Sequence, residues 1–368
     1  MKLPDKISWL MGRVQRSLFP HLNQCLATPL TAQEERLVSI LEIVQVERHV
    51  PRRVRRYRYP GRKPLDRQAC ARVFVAKALY RHPTTSDLLR ALQSAENLRR
   101  ICGFATVGDI PSESTLSRSF SEFSVSSLGG RVHDALVKEY LAEELVGHIS
   151  RDSTAIVGRE KPAKKKKEPK KPRKRGRPAK GEQREPVVEK RLDRQVHQSA
   201  EEAIRELPVI CDRGTKKNAK GYKESWNGYK LHLDTNDIGL PISALITAAS
   251  LHDSQAAIPL IKLTSGKVTY LYDLMDAAYD ARRIAETSRK FGHVPITDKN
   301  SRGQEVPPMA PHEAERYKIR SGVERANSRL KEDFGANNVM VKGHCKVTLH
   351  LMFGIITLFA DQLLRLIV

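Results

Sequence analysis

One stretch near the C-terminus collects side chains that can bind an anion beside a carboxylate. Residues 317–331 read YKIRSGVERANSRLK, and at about 100° per residue their apolar and polar members separate onto opposite sides of a helix. Arginine binds phosphate oxygens in pairs and lysine is a compact point charge, so the polar side suits phosphate chemistry. An ordinary amphipathic helix with a solvated face is the competing interpretation. The polar arc contains Tyr317, Arg320, Glu324 and Lys331, with Asn327 and Ser328 at its borders as either further contacts or, by preference, solvated residues.

Two aspartates upstream belong to predicted strands. GHISRDSTAIVG is rich in β-branched residues and predicts a strand that carries Asp152, while GKVTYLYDLMDAAYD predicts a buried strand that ends in Asp276. A sheet with these strands as neighbours would bring the two carboxylates together, and Glu324 would approach from its helix. Carboxylates are hard ligands for Mg²⁺, and two such ions about 3.5–4 Å apart can serve both oxygens of a phosphodiester exchange.

Other acidic residues compete for the same assignment. Asp273 precedes Asp276 within the predicted strand, and Asp280 follows it. We interpret Asp253, in the segment HDSQ, as a helix-capping residue, because aspartate at that place commonly accepts a backbone N–H.

The segment before these strands is predicted to be helical. Residues from about 31 to 145 show apolar residues at helical spacing, with a capping signal at Ser86 and a stop at Pro83. A short connector followed by SESTLSRSFSEF fits either a helix-turn-helix unit or a plain helical bundle. Candidate DNA contacts in this region are Arg100, Ser114, Thr115 and Arg118.

The most biased segment of the chain interrupts the fold after the first predicted strand. Residues 161–180 contain twelve Lys and Arg and one Glu, a net charge of +11, with four prolines and no apolar periodicity. Such a composition predicts disorder in isolation. Its centre, RGRP, looks like an AT-hook core, which can enter the narrow minor groove of A·T-rich DNA. A nonspecific polybasic linker is the alternative. The hook residues are Arg175, Gly176, Arg177 and Pro178.

Composition points to a polyanionic partner. The net charge is +23 and the pI is about 9.9. The N-terminus lacks the apolar core of a signal peptide, and five scattered cysteines without a CxxC pair indicate neither zinc nor disulfides. The apolar C-terminus is free of charge only over residues 347–360, short of the roughly 20 residues that cross a bilayer. We therefore predict a buried terminal helix, no membrane partner and a reducing, cytoplasmic setting.

The spacing Tyr-x2-Arg-x3-Glu-x6-Lys, with RDST and DAAYD upstream, resembles the YREK signature of DDE transposases from bacterial insertion sequences. CGFATVGDIPSESTLSRSFSEF is similar to the N-terminal region of these enzymes, and the order of predicted strands and helices resembles their RNase H-like fold. The resemblance implies an α/β protein with a mixed sheet flanked by helices. It implies a helical DNA-binding region at 1–146, a catalytic domain at 147–158 and 196–368, and a basic, disordered AT-hook-like insertion at 159–195.

The same resemblance implies a site and a reaction. Asp152, Asp276 and Glu324 would form the DDE triad and hold Mg²⁺ or Mn²⁺, two ions in all. Tyr317 and Arg320 would contact phosphates at the transposon end, and Lys331 would hold DNA near the scissile bond. Hydrolysis at the element end would precede attack of the freed 3′-hydroxyl on target DNA, within a nucleoprotein complex that contains at least a homodimer.

Two features depart from the family pattern, and two other functions remain open. The interval between Asp276 and Glu324 leaves no room for the β-strand insertion of some YREK enzymes, so a hairpin intermediate is not implied. The basic tract at this position corresponds to no general family requirement. The alternatives are a metal-dependent nuclease of the same fold that does not transpose, and a noncatalytic basic DNA-binding protein.

Overall fold

The computed structural model describes residues 28–51, 65–163, 189–217, 220–301 and 305–366. The region before the first strand is helical, as predicted. Capping side chains define where its helices begin: Thr31 and Glu34 form a capping box at the first helix, and Asp66 caps the second. The third helix is capped by Thr84 with Asp87, not by Ser86. These helices are α1 (Ala32–Val44), α2 (Arg67–Leu79), α3 (Thr85–Ser94), α4 (Glu96–Cys102), α5 (Glu113–Val125) and α6 (Leu128–Leu141).

A six-stranded mixed sheet follows, in the order β2-β3-β1-β5-β6, with β4 paired to β3. The pairs β1–β3, β3–β4 and β2–β3 are antiparallel, and β1–β5 and β5–β6 are parallel. Helices flank the sheet, so the predicted mixed α/β class is confirmed, and β4-β3-β1-β5-β6 is the RNase H-like order. The strands are β1 (Leu145–Val157), β2 (Asp212–Lys217), β3 (Lys223–Thr235), β4 (Pro241–Ala248), β5 (Thr269–Met275) and β6 (Val294–Thr297).

The remaining helices lie between and after the strands. Two of these helices and β2 follow the basic tract and precede Trp226. A turn at residues 236–239 joins β3 to β4, with the N–H of Gly239 donating to Asn236 O at 3.0 Å. These helices are α7 (Arg191–His197), α8 (Ala200–Arg205), α9 (Ser254–Ser265), α10 (Arg282–Lys290), α11 (Pro311–Tyr317), α12 (Ser321–Glu332) and α13 (His344–Arg365).

Helix α13 joins the N-terminal helices to the sheet. It is long and apolar enough to cross a membrane, yet 78% of that window is buried within the protein, where it packs on α1, α2, α5 and α6. The prediction of a buried terminal helix is therefore confirmed. Its Asp361 is buried and accepts ion pairs from three arginines on three different helices, which are Arg36, Arg329 and Arg365.

A buried ionic cluster ties the central strands together. Arg151 on β1 is fully buried and binds both carboxylate oxygens of Asp234 on β3, at 2.8 and 2.7 Å. Its Nη1 lies 3.4 Å from Oδ1 of Asp273 on β5. Thr264 of α9 donates to Asp234 at 2.7 Å, so this cluster occupies the sheet face that α9 covers. Burial this complete is tolerated because every charge has an opposite partner.

Candidate active site

The register of β1 and β5 places the two predicted aspartates side by side. The last pair in the parallel ladder is Arg151 with Met275; Asp152 is the next residue on β1, and Asp276 directly follows the end of β5. Because side chains alternate along a strand, the two aspartates turn away from the face that buries Arg151. Asp276 starts a short 3-10 turn, and its Oδ1 accepts a hydrogen bond from the N–H of Ala278 at 3.0 Å.

A single guanidinium gathers the three predicted carboxylates. Nη2 of Arg320 lies 3.1 Å from Oδ1 of Asp152 and 3.6 Å from Oδ2 of Asp276. Nη1 of the same arginine donates to Oε1 of Glu324 at 2.7 Å. Residues far apart in sequence thus converge on one cation, as the sequence predicted for the acids. The predicted phosphate contact, Arg320, instead lies among them.

The segment that carries Arg320 is not one continuous helix, and the predicted uninterrupted helix is wrong here. Helix α11 ends at Tyr317, residues Lys318–Arg320 form a 3-10 turn, and α12 begins at Ser321. A 3-10 turn winds more tightly than an α-helix, a difference that apolar periodicity alone does not reveal. The apolar stripe still anchors α12, since Val323, Ala326 and Leu330 are buried.

The electrostatics of the site follow from crowded carboxylates. Burial, together with the nearby charges of Asp276 and Glu324, raises the pKa of Asp152 to about 6, although Arg320 opposes this rise. The pKa of Asp276 is also raised, chiefly by burial, with Arg320 again opposing and Asp253 adding to it. One arginine therefore compensates the acidic cluster only in part. The remaining negative charge favours a further cation.

Asn327 holds the second oxygen of Asp152. The residue is buried on α12, and its Nδ2 donates to Oδ2 of Asp152 at 3.1 Å. Our preferred interpretation of Asn327 as a solvated residue is therefore wrong, because β1 covers this side of α12. Ser328 is exposed, as predicted. Asn327 follows Glu324 by three positions, and on a helix this spacing turns both side chains toward the same strand. That spacing is the sequence signal from which the contact of Asn327 could have been predicted.

Tyr317 and Lys331 flank the cluster from the two ends of the broken helix. The ring of Tyr317 lies 6.0 Å from the guanidinium carbon of Arg320, and burial raises the pKa of its hydroxyl to about 12. Lys331 is half-buried; burial and then the nearby cation Lys216 lower the pKa of its amine, and Asp152 opposes this. Asp152 and Lys216 are therefore the two charged groups that act on this amine.

The competing aspartates lie elsewhere. Asp273 is buried on the opposite face of the sheet, where Arg151, Tyr270 and Ser288 contact it. Asp280 accepts from the backbone N–H of Asn300 at 3.2 Å. Neither contacts Arg320.

Asp253 differs from its predicted role. It occupies the N-cap position of α9 but makes no capping hydrogen bond, because its conformation is already helical. Its carboxylate instead accepts from Nζ of Lys230 at 2.8 Å. The capping interpretation is therefore wrong, and Asp253 is a fourth acidic residue near Asp276.

The donor set suits a hard divalent cation. Three carboxylates within reach of one guanidinium are the oxygen ligands that Mg²⁺ and Mn²⁺ prefer. Within the described ranges, no three acidic, histidine or cysteine side chains are already arranged around one ion position. The contacts of Arg320 give the physical reason, since its guanidinium occupies the space between the three acids.

The other predicted DNA contacts are distributed on α4 and α5. Arg100 pairs with Glu96 at 2.8 Å, and Arg118 donates to Thr115 at 3.2 Å. Helix α5 buries its apolar side, and Ser114 and Arg118 on its other side are exposed. The hook residues Arg175, Gly176, Arg177 and Pro178 lie outside the described residues, as does most of the basic tract, so its predicted disorder stays a prediction.

Comparison with known families decides the identity of the chain. A family described as "Transposase DDE domain" matches residues 148–360, which include β1, β5 and α12. This chain belongs to the transposase DDE domain family. A second family, "Transposase domain (DUF772)", matches residues 26–122, the helical region. No curated protein and no solved structure matches the chain significantly.

Membership in the transposase DDE domain family establishes the class of activity. The chain is a DDE-type transposase of the insertion-sequence kind, an enzyme whose substrate is DNA. Transposase DDE domains generally use divalent metal ions, and the family indicates a soluble, cytoplasmic protein. The resemblance identified from RDST, DAAYD and the YREK spacing is thereby confirmed.

Proposed function

We propose that this transposase binds transposon ends and catalyses DNA cleavage and strand transfer through Asp152, Asp276 and Glu324. The observation that carries the proposal is the convergence of these three carboxylates, from two strands and a helix, on the guanidinium of Arg320. This one cation faces three acids, Asp152, Asp276 and Glu324. This excess of negative charge is what we expect of a site that binds a further cation.

The residues have separate tasks in this proposal. Asp152, Asp276 and Glu324 would hold two Mg²⁺ or Mn²⁺ ions, and this pair of ions would supply positive charge to the attacking and the leaving oxygen. Asn327 fixes the carboxylate plane of Asp152 through its hydrogen bond. Hydrolysis at the element end leaves a 3′-hydroxyl. That hydroxyl then attacks a target phosphodiester in the same site, forms a new P–O bond and breaks the bond to the target's 3′ oxygen, which leaves as a hydroxyl.

Three residues around the acids hold the DNA backbone. Tyr317 and Arg320 contact phosphates at the transposon end, with Arg320 released from the acids as the site fills. Lys331 lies near Asp152 and holds the strand beside the scissile bond. Asn327 is buried, so its contribution to DNA binding passes through Asp152.

The rest of the chain supplies further DNA contacts. The helical region at 1–146 binds DNA through α4 and α5, and the catalytic domain comprises 147–158 and 196–368. The insertion at 159–195 contributes the hook Arg175–Pro178, which enters A·T-rich minor grooves. A homodimer holds two transposon ends in one complex, and the positive net charge of the chain keeps the protein bound to the DNA of the nucleoid.

A cleavage assay tests this function and separates it from its alternatives. Wild type should nick a plasmid that carries the element ends in Mg²⁺ and join the freed 3′ end to a second DNA. Asp152→Asn and Glu324→Gln should bind DNA as wild type does but cut at least about a thousandfold more slowly. Cutting without joining would identify a nuclease. Binding without cutting in any divalent metal would identify a noncatalytic DNA-binding protein.

The basic tract has its own test. Deletion of residues 161–180 should weaken DNA binding and flatten its salt dependence, because phosphate contacts set that slope. A hook predicts a greater loss on A·T-rich than on G·C-rich duplexes. Equal losses would leave a nonspecific linker, and no loss would remove the tract from DNA binding.

A further inference from the structure

The β2–β3 ribbon extends beyond the rest of the sheet. Its ladder runs from Asp212 paired with Gly228 to Lys217 paired with Lys223. Strand β1 ends at Val157, opposite Gly228, and the N–H of Gly158 still donates to Asn227 O, so in the described part of the chain residues 223–226 pair with β2 alone. Most side chains of this ribbon are exposed. A strand pair that projects from a sheet in this way has two faces available to a partner.

One face of the ribbon is used to stabilise it. The ring of Trp226 covers Gly214 so closely that a Cβ there would lie 2.5 Å from the ring. The indole Nε1 donates to Tyr229 O at 2.9 Å, which fixes the ring at the base of the ribbon. On the same face Lys216 lies directly opposite Glu224. This face therefore carries a packed tryptophan and a cross-strand pair of opposite charges.

The other face of the ribbon carries cationic and uncharged polar side chains, and among the described residues it carries no acidic side chain. Register pairs place Arg213 opposite Asn227 and Thr215 opposite Ser225, with Lys223 next on that side. The two hydroxyls, 3.4 Å apart, confirm that they share a face. All five side chains are exposed, and neither cation pairs with an acidic side chain of the described residues. Such a face is complementary to a phosphate backbone.

This cationic face continues the face of the sheet that carries the acidic cluster. Asp152 is the register partner of Leu233, and alternate residues of β3 from Leu233 lead to Asn227 and Lys223. The segment that leads into the basic tract also starts here, since the N–H of Ala163 donates to Cys211 O at 2.9 Å, just before β2.

We propose that the β2–β3 ribbon binds duplex DNA beside the active site, through the face formed by Arg213, Thr215, Lys223, Ser225 and Asn227. Paired strands lie about 4.8 Å apart, and a major groove about 12 Å wide admits such a ribbon. The ribbon holds the duplex that leads away from the acidic cluster, and the basic tract departs from the same place. This inference rests on the proposed DNA-cleaving function and adds a contact surface to it.

A charge-removal experiment on the full chain tests the ribbon. Arg213→Gln/Lys223→Gln should bind a linear duplex about tenfold more weakly at low salt and reduce the salt slope by about two units. The control is Arg289→Gln/Lys290→Gln, which removes two exposed cations from α10, beside the β6 edge of the sheet. Arg213→Lys/Lys223→Arg retains the charges and should keep the wild-type slope.

A labelling experiment on wild type does not depend on how a variant folds. Bound duplex should protect the amine of Lys223 from acetylation and leave the amine of Lys290 reactive, as measured by mass spectrometry. Unchanged labelling of Lys223 in a saturated complex, or equal binding by the ribbon and control variants, would overturn the ribbon proposal. Failure of wild type to bind or cut DNA would instead overturn the proposed function.

Discussion

Nη2 of Arg320 lies 3.1 Å from Oδ1 of Asp152, in the centre of the acidic cluster. The family resemblance assigns this arginine to the phosphates of the transposon end, yet here it pairs with the three carboxylates and compensates part of their charge. Both roles are compatible if the guanidinium leaves the acids when metal and DNA arrive. Arg320 then acts as a temporary cation that reduces repulsion among three acids before the metal binds.

Replacement of Arg320 should therefore separate metal binding from catalysis. Arg320→Gln removes the competing cation, so the metal-binding site should take up Mn²⁺ about tenfold more tightly than in wild type, as measured by calorimetry. The same variant should cut DNA about a hundredfold more slowly, because a contact to developing phosphate charge is lost.

The matched control for that variant is Lys318→Gln. Lys318 is exposed in the same 3-10 turn and pairs with Glu315 at 2.5 Å, away from the acids. It should leave both Mn²⁺ affinity and cleavage at wild-type values. Weaker Mn²⁺ binding in Arg320→Gln would contradict the competition between arginine and metal.

Asn327 should act through Asp152. Asn327→Leu keeps a similar volume at this buried position but removes the hydrogen bond to Oδ2, so Mn²⁺ affinity and the cleavage rate should each fall about 10–100-fold. The KM for DNA should stay constant, because Asn327 does not face solvent. Ser328→Ala, at the exposed neighbouring position, serves as the control. A change in KM alone would assign Asn327 to direct DNA contact.

The buried Arg151 should determine stability more than chemistry. Arg151→Met leaves Asp234 and Asp273 without their shared partner, which should lower the free energy of unfolding by about 3–5 kcal/mol. Adding Asp234→Leu removes one of the two unpaired carboxylates and should recover part of the lost free energy of unfolding. Urea unfolding followed by circular dichroism measures both. Wild-type stability of the single variant would show that the cluster contributes little.

Two buried histidines and one partly buried histidine should make the fold sensitive to mild acid. Burial lowers the pKa of His133, His232 and His350 from 6.5 to about 4. Between these values the unfolded chain binds more protons than the folded one, so stability falls as pH drops from about 6.5 toward 4. His350→Gln, which keeps a donor for Gly335 O, should flatten this dependence. Stability that is constant or rises on acidification would contradict the prediction.

The sequence was informative where chemistry and periodicity coincide. Strands around Asp152 and Asp276 were predictable from β-branched and apolar runs, and their proximity followed from a parallel pairing that the structure contains. The buried side of α12 was predictable from its apolar spacing. These are local patterns, and local patterns determine which face of an element is buried.

The sequence was uninformative where tertiary contacts decide. The 3-10 turn at Lys318–Arg320 and the burial of Asn327 depend on what lies across from α12, not on neighbours along the chain. Asp253, at the start of α9, forms an ion pair with Lys230 on β3 and does not make the expected capping hydrogen bond. The ribbon from Asp212 to Gly228 escaped notice because a short, lysine-rich strand lacks apolar alternation.

A crystal structure with Mn²⁺ bound, located by anomalous scattering, tests the central claim most directly. We predict manganese between Asp152, Asp276 and Glu324, with the guanidinium of Arg320 displaced from all three carboxylates. Manganese bound elsewhere, or a cluster in which Arg320 keeps its 3.1 Å contact to Asp152 at saturating metal, would contradict the proposed active site.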